Sequence, residues 1–199
     1  MKLFFSSTSP FVRKVMACAI ARGIEEQIET IRSNPHESPP DLLRANPLSK
    51  VPCLLTDNGM ALFDSPLICE YLDSLGSAAK LFPPAGPTRW QALKQQALGD
   101  GILDAAVGRR GEMAKPPEAG RQAWMARQKA AIDRSVDQLE SDLPQDGLDI
   151  GTITLACALG YLDFRFGAEP WRGAHPRLAD WFAKIAKHPA IARTAPKEG

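Results

Sequence analysis

Leu3, Phe4 and Phe5 form a short apolar run bounded by serines, and the pattern predicts a strand over residues 2–5. From 11 to 21 the apolar positions recur at helical spacing, with Gly23 just beyond, where a left-handed residue commonly ends a helix. Residues 27–31 then alternate polar with branched apolar side chains, as a half-buried strand does. Strand, helix and strand in that order predict a right-handed β-α-β unit and a sheet that is parallel in part. After a Pro-rich turn, residues 41–45 read as a short helix. Two apolar runs, 51–55 and 60–63, are joined by Asp57-Asn58-Gly59, whose Asn-Gly step suits a tight antiparallel hairpin. Asp64 or Ser65 then caps a helix over 66–75, with Pro66 in its first turn.

The pattern changes at "LFPPAGPTRW", residues 81–90, where prolines and a glycine break the chain and all strand signals end. We place a domain over 1–80, a linker over 81–88 and a helical domain over 89–199. A helix is predicted over 88–110, then "GEMAKPPEAG" interrupts. In the next, Met125, Ile132, Val136, Leu139 and Leu143 make one apolar stripe. Residues 150–166 are apolar nearly all round, the pattern of a central buried helix, and a last helix follows His175-Pro176. Trp90, Trp124, Trp171 and Trp181 read as packing residues.

Charge narrows the function classes. Lys and Arg number 24 against 23 Asp and Glu, so no basic footprint for nucleic acid or anionic lipid is present. The longest strongly apolar stretch, 153–162, falls short of the roughly 20 residues that span a bilayer. The apolar run at the start is too short for a secretory signal. Cys18, Cys53, Cys69 and Cys157 are scattered in apolar runs without a C-x-x-C pair, which points away from zinc or a disulfide framework and toward buried, reduced cysteines. A soluble cytoplasmic chain with small-molecule or protein partners is expected.

Three segments together carry a resemblance. "SPFVRKV", "NPLSKVPCL" and "FDSPLICEYL" resemble the first strand-to-helix turn, the Asn-Pro-x-x-Lys-Val-Pro segment and the Glu-Ser segment of the cytosolic glutathione transferases. "GDGILDAAV", "WMARQKAAIDRSVDQLE" and "GTITLACALGYLDFR" are similar to the helical domain of a bacterial branch of that family. The resemblance implies a thioredoxin-like N-terminal domain, βαβαββα, followed by an all-helical domain, in a homodimer without metal. It further implies a detoxification enzyme that binds glutathione and transfers it to a hydrophobic or mildly acidic electrophile. Isomerisation or dehalogenation by the same thiolate, and a non-catalytic binding role, are the alternatives.

On that resemblance Ser9, at the start of the first helix, donates a hydrogen bond to the glutathione thiolate. Thr8, Ser7 and Ser6 are alternatives; by itself a Ser-Pro is an ordinary N-cap. A free thiol titrates near 8.5, and lowering that by about two units needs about 2.7 kcal/mol of preference for the anion. A charge-assisted hydrogen bond supplies about 1.5–3 kcal/mol and a helix N-terminus about 1–2 kcal/mol more. With serine where other branches hold cysteine, conjugation is favoured over thiol exchange. Val51 would pair its backbone with the cysteinyl unit beside a cis Pro52, and Lys50 would meet the glycine carboxylate. Asp64 and Ser65 would hold the γ-glutamyl end, although the family pattern has Glu where Asp64 stands. Asp104 would reach the α-amino group from the neighbouring subunit, and Asn34 and His36 lie where some relatives hold the glycine carboxylate. The second substrate is expected beside "AAVGRRGEM", with Arg109 and Arg110 read as facing water. Asp163 and Arg165 are read as an internal pair, and "DIGT", 149–152, as a capping box with its two residue types exchanged.

Overall fold

The computed structural model describes residues 1–197. Four short strands, β1 (Lys2–Phe5), β2 (Glu29–Arg32), β3 (Cys53–Leu55) and β4 (Ala61–Leu62), lie in the spatial order β2-β1-β3-β4. β1 pairs parallel with β2 and antiparallel with β3, and β3 and β4 form the expected hairpin. With helices α1 (Pro10–Ala21), α2 (Pro40–Ala45) and α3 (Ser65–Ser74) the order is β-α-β-α-β-β-α, a thioredoxin-like arrangement. β2 starts later than the alternation suggests, because residues 25–27 close a 3₁₀ turn first. Successive strand side chains point to opposite faces. Leu3 and Leu54 therefore enter the main core, while Phe4 and Cys53 meet Leu42 and Ala45 of α2 on the other face. Burial on both faces explains why this sheet reads as continuous apolar runs.

The rest of the chain is helical: α4 (Pro87–Met113), α5 (Ala119–Ser141), α6 (Ile150–Arg165), α7 (Pro176–Ile185) and α8 (Pro189–Ala192). α6 is buried from Ile150 to Leu162, the central helix that its uniform apolarity predicts. Its start carries the exchanged capping box. The Thr152 N–H donates to the Asp149 carboxylate at 2.8 Å, and the Asp149 N–H donates to the Thr152 hydroxyl at 2.9 Å. α4 and α6 approach closely because glycine stands at the crossing. A Cβ on Gly99 would lie 2.8 Å from the Thr154 methyl carbon, and one on Gly151 would lie 2.7 Å from the Ala92 carbonyl oxygen.

Three side-chain expectations change. Trp171 and Trp181 are buried and donate their indole N–H to Asp163 at 2.9 Å and to the Gln145 carbonyl at 3.2 Å. Trp90, by contrast, is 69% exposed and Trp124 is 40% exposed. Trp90 is two positions from buried Ala92, about 200° round the helix, which turns it away from the core. Trp124 rests across Gly108 instead. Asp163 pairs with Arg172 at 2.7 Å rather than with Arg165, since residues two apart leave a helix in nearly opposite directions.

Buried ions tie the two halves together. Fully buried Arg22, the residue that ends α1, donates to the carbonyls of Leu75 and Gly76 at 2.6 and 2.8 Å and to that of Ala78. It also lies 3.3 Å from Asp73, whose carboxylate accepts the N–H of Leu81 at 2.7 Å and of Phe82 at 3.3 Å. The segment leading to α4 is held by these bonds. Deeper in, the Nζ of fully buried Lys14 in α1 lies 2.7 and 2.9 Å from the carboxylate oxygens of Asp100 in α4. Burial nevertheless leaves the Asp100 carboxyl above its ordinary value, with the Lys14 charge offsetting only part of that cost. The pair therefore specifies how α1 docks more than it stabilises the fold. Lys14→Ala, which strands a largely buried carboxylate, is expected to lower the unfolding free energy by about 3 kcal/mol in urea titrations, while Lys14→Met with Asp100→Leu recovers most of it.

His175, at the N-terminus of α7, sets its Nδ1 2.6 Å from the Trp171 carbonyl and its Nε2 2.8 Å from the Asp137 carboxylate. Burial alone would lower its pKa, but these acceptors outweigh it and the imidazole titrates above its ordinary value. The stabilisation is then complete below the unfolded value of about 6.5 and fades as pH rises through the higher folded value. Denaturant unfolding measured across that range should show this decline in the wild type and a flatter profile in His175→Gln.

Candidate active site

The turn before α1, the loops at 34–36 and 48–51 and the facing sides of α4 and α6 enclose a cleft of about 820 Å³. Ser9 stands at its edge as the N-cap of α1, and its Oγ accepts the Val12 N–H at 3.3 Å. That bond uses a lone pair and leaves the hydroxyl proton to donate elsewhere. The hydroxyl thus combines with the positive end of α1 to favour an anion. Ser6 and Thr8 also line the cleft. Ser7 is exposed and faces a neighbouring depression with Arg32 and Ser33.

The opposite rim is a loop held by Asn46. Buried Asn46 donates its side-chain amide to the Lys50 carbonyl at 2.9 Å and accepts the Leu48 N–H at 3.0 Å. Ser49 donates to the Pro35 carbonyl at 3.1 Å, which ties this loop to the one carrying Asn34 and His36. The result places Lys50, Val51, Asn34 and His36 on the cleft wall, just ahead of a cis Val51–Pro52 peptide. Pro52 itself is buried, and Lys50 is exposed. The only mark of Asn46 in the sequence is its place directly before Pro47, at the end of a short helix.

A second helix N-terminus lies beyond. Asp64 is exposed at the N-cap position of α3 and makes no capping bond with its side chain, so the cap expected there is absent. Ser65 is buried, and its Oγ has no partner among the described residues. Asp104 in α4 lines the cleft. Burial raises the Asp104 carboxyl, the Lys50 charge opposes that and Asp64 reinforces it, so the three groups share one electrostatic neighbourhood.

The remaining wall comes from the helical half: Val107, Arg110 and Gly111 of α4, and Tyr161 and Arg165 of α6. Arg109 departs from expectation. It is buried, donates to the Glu169 carboxylate at 2.8 and 3.1 Å, and stacks 4.7 Å over Phe166. Adjacent helix positions diverge by about 100°, so Arg109 turns into the helical core and Arg110 toward the cleft. All four cysteines are buried, and burial pushes the Cys53 and Cys157 thiols up to about 11 and raises Cys18 as well. None of the four lines the cleft, so a thiolate acting there has to be brought by a ligand. Among the described residues no cluster of His, Cys, Asp and Glu is placed to hold a metal ion, and no helix is long and apolar enough to cross a membrane.

A thioredoxin-like sheet, a helical second half and a cleft between them with a hydroxyl at the first helix start define the general class. Family models refine it: residues 8–75 match the glutathione S-transferase N-terminal domain, and residues 122–184 match the glutathione S-transferase C-terminal domain. The uncharacterized GST-like protein YibF of Escherichia coli K12 is 36% identical across 98% of both chains. A glutathione transferase family member from Pseudomonas fluorescens Pf-5, solved with bound glutathione, superposes with a TM-score of 0.94 at 38% identity over 99% of both chains. A second structure described as a family member from that organism, with bound S-(propanoic acid)-glutathione, gives a TM-score of 0.90 at 38% identity over the whole of both chains. The chain belongs to the glutathione S-transferase family.

Removing the Asn46 side chain should loosen the rim that carries Lys50 and Val51. Asn46→Ala is expected to weaken glutathione binding about tenfold by calorimetry and to cost about 1–2 kcal/mol of stability.

Proposed function

We propose that this protein binds glutathione in the cleft beside Ser9, lowers the pKa of its thiol and conjugates the thiolate to an electrophilic small molecule. The observation that carries the reading is Ser9. Its oxygen is engaged by the Val12 N–H while its proton stays available, at the positive end of a helix and on the cleft wall. The related Pseudomonas fluorescens structures at 38% identity, with glutathione and with S-(propanoic acid)-glutathione, support a cleft that accepts both the tripeptide and a substituent on its sulfur.

In this reading the Ser9 hydroxyl donates to the thiolate sulfur, and the sulfur attacks the electrophile directly, without a covalent bond to the protein. Thr8 and Ser6, which also line the cleft, are the next hydroxyls in reach. Lys50 neutralises the glycine carboxylate, with Asn34 and His36 on the same side. The Val51 backbone beside Pro52 pairs with the cysteinyl unit. Buried Ser65, its hydroxyl without a partner among the described residues, and the N-terminus of α3 take the γ-glutamyl carboxylate. Asp64 and Asp104 supply negative charge for the α-amino group. The working form is a cytoplasmic homodimer.

The thiolate absorbance of bound glutathione, followed against pH, tests this. The wild type should ionise the bound thiol about two units below its free value, and Ser9→Ala should return one to two of those units, equivalent to about 1.5–3 kcal/mol of lost hydrogen bonding. Ser9→Thr should keep most of the shift. Undetectable glutathione binding overturns the reading, and tight binding with an unshifted thiol replaces it with a non-catalytic carrier.

A further inference from the structure

Resting on the glutathione reading above, we propose that the wall of the cleft opposite Ser9 is built for an electrophile bearing a carboxylate, with Arg110 as the specificity-determining residue and Arg165 and Tyr161 beside it. The charge of the cleft is lopsided. Lys50, Arg110 and Arg165 line it against one carboxylate, that of Asp104, among the described residues. Lys50 and Asp104 lie within each other's field, whereas the stretch of wall formed by residues 107–111 of α4 and by α6 presents Arg110 and Arg165 with no acid among the described residues that line it. Its neighbour Arg109 is consumed by Glu169 and Phe166 in the helical core, but Arg110 is exposed at the cleft and makes no ion pair or hydrogen bond within the described residues.

Position adds to charge. The guanidinium of Arg165 is stacked 3.9 Å over Phe164 at the end of α6. Tyr161, one helical turn earlier, is nearly fully buried, and burial raises its phenol against the opposing pull of Arg165 and Arg110. The phenol thus stays protonated at neutral pH and remains a donor beside the two cations. Gly111 adjoins Arg110 on the cleft wall, and a Cβ there would meet nothing within 4 Å, so space for a substituent is open at this point. Two guanidiniums and a phenolic hydroxyl around open space match a carboxylate in charge and in hydrogen-bonding geometry.

The chemistry gives the arrangement a purpose. With an α,β-unsaturated acid, the thiolate sulfur forms a bond to the β-carbon, the π pair shifts toward the α-carbon and its carboxylate, and the α-carbon takes a proton from water. Negative charge builds next to a group already negative, which makes an ionised unsaturated acid a poor acceptor in water. Guanidiniums fixed at that carboxylate stabilise the developing charge and lower the barrier.

Calorimetry with three ligands tests this: glutathione, S-propylglutathione and S-(2-carboxyethyl)glutathione, the last two differing only by a methyl or a carboxylate at the end of the substituent. The wild type should bind the carboxyethyl conjugate at least tenfold more tightly than the propyl conjugate. Arg110→Gln should remove most of that preference and leave the affinities for glutathione and the propyl conjugate within about twofold. Glutathione binding with no preference between the conjugates overturns this inference alone, as does an Arg110→Gln variant that weakens all three ligands equally. Failure of all three to bind the wild type overturns the glutathione reading and the inference with it.

Discussion

α1 is held in place by cations that it carries into the protein interior. Lys14 reaches Asp100 in α4, Arg22 reaches Asp73 and three carbonyls past the end of α3, and buried Arg13 lies against Gly160 of α6 and donates to the Ile191 carbonyl at 3.4 Å. Moving Lys14 or Arg22 away from its acidic partner leaves an uncompensated ion in the core, which costs far more than the pair contributes. The docking of α1 is therefore discrete rather than adjustable. Ser9 caps this same helix, so the ions that fix α1 also fix where its hydroxyl stands relative to the wall formed by α4 and α6.

The cleft divides along its charges. On one side Lys50 of the thioredoxin-like half and Asp104 of α4, with Asp64 in the same electrostatic neighbourhood and the start of α1 close by, offer both signs of charge, as a zwitterionic peptide demands. At the other end the helical half offers Arg110, Arg165 and Tyr161 around open space. Ser9 lines the same cleft, at the start of α1. The buried cysteines, with Cys53 raised to about 11, leave the chemistry to a thiol supplied by the ligand.

Much of the fold was legible because its signals are local. Alternation marked β2, the Asn-Gly step marked the hairpin, and the nearly all-round apolarity of 150–166 marked the central helix. The exchanged Asp149 and Thr152 box could be read because a cap needs only an acceptor and a donor three residues apart. Tertiary placement was less visible. Nothing in "GRRG" tells which arginine enters the core; that depends on where Phe166 and Glu169 lie after the chain has turned back. Trp90 reads as a packing residue but stands largely exposed on its face of α4, a fact set by packing and not by spacing. In the site, the serine cluster announced a hydroxyl at a helix start. The support given by Asn46, and the contribution of Tyr161 and Arg165 from the far half of the chain, arise only when the loops and helices meet.

The central claim is that the hydroxyl meeting the ligand's sulfur belongs to Ser9. A crystal structure of this protein soaked with glutathione measures that contact directly. The account predicts the sulfur within hydrogen-bonding distance of the Ser9 Oγ, with the Val12 N–H still donating to the same oxygen. A sulfur seated instead against Thr8 or Ser6, or a tripeptide bound away from the α1 N-terminus, would contradict it.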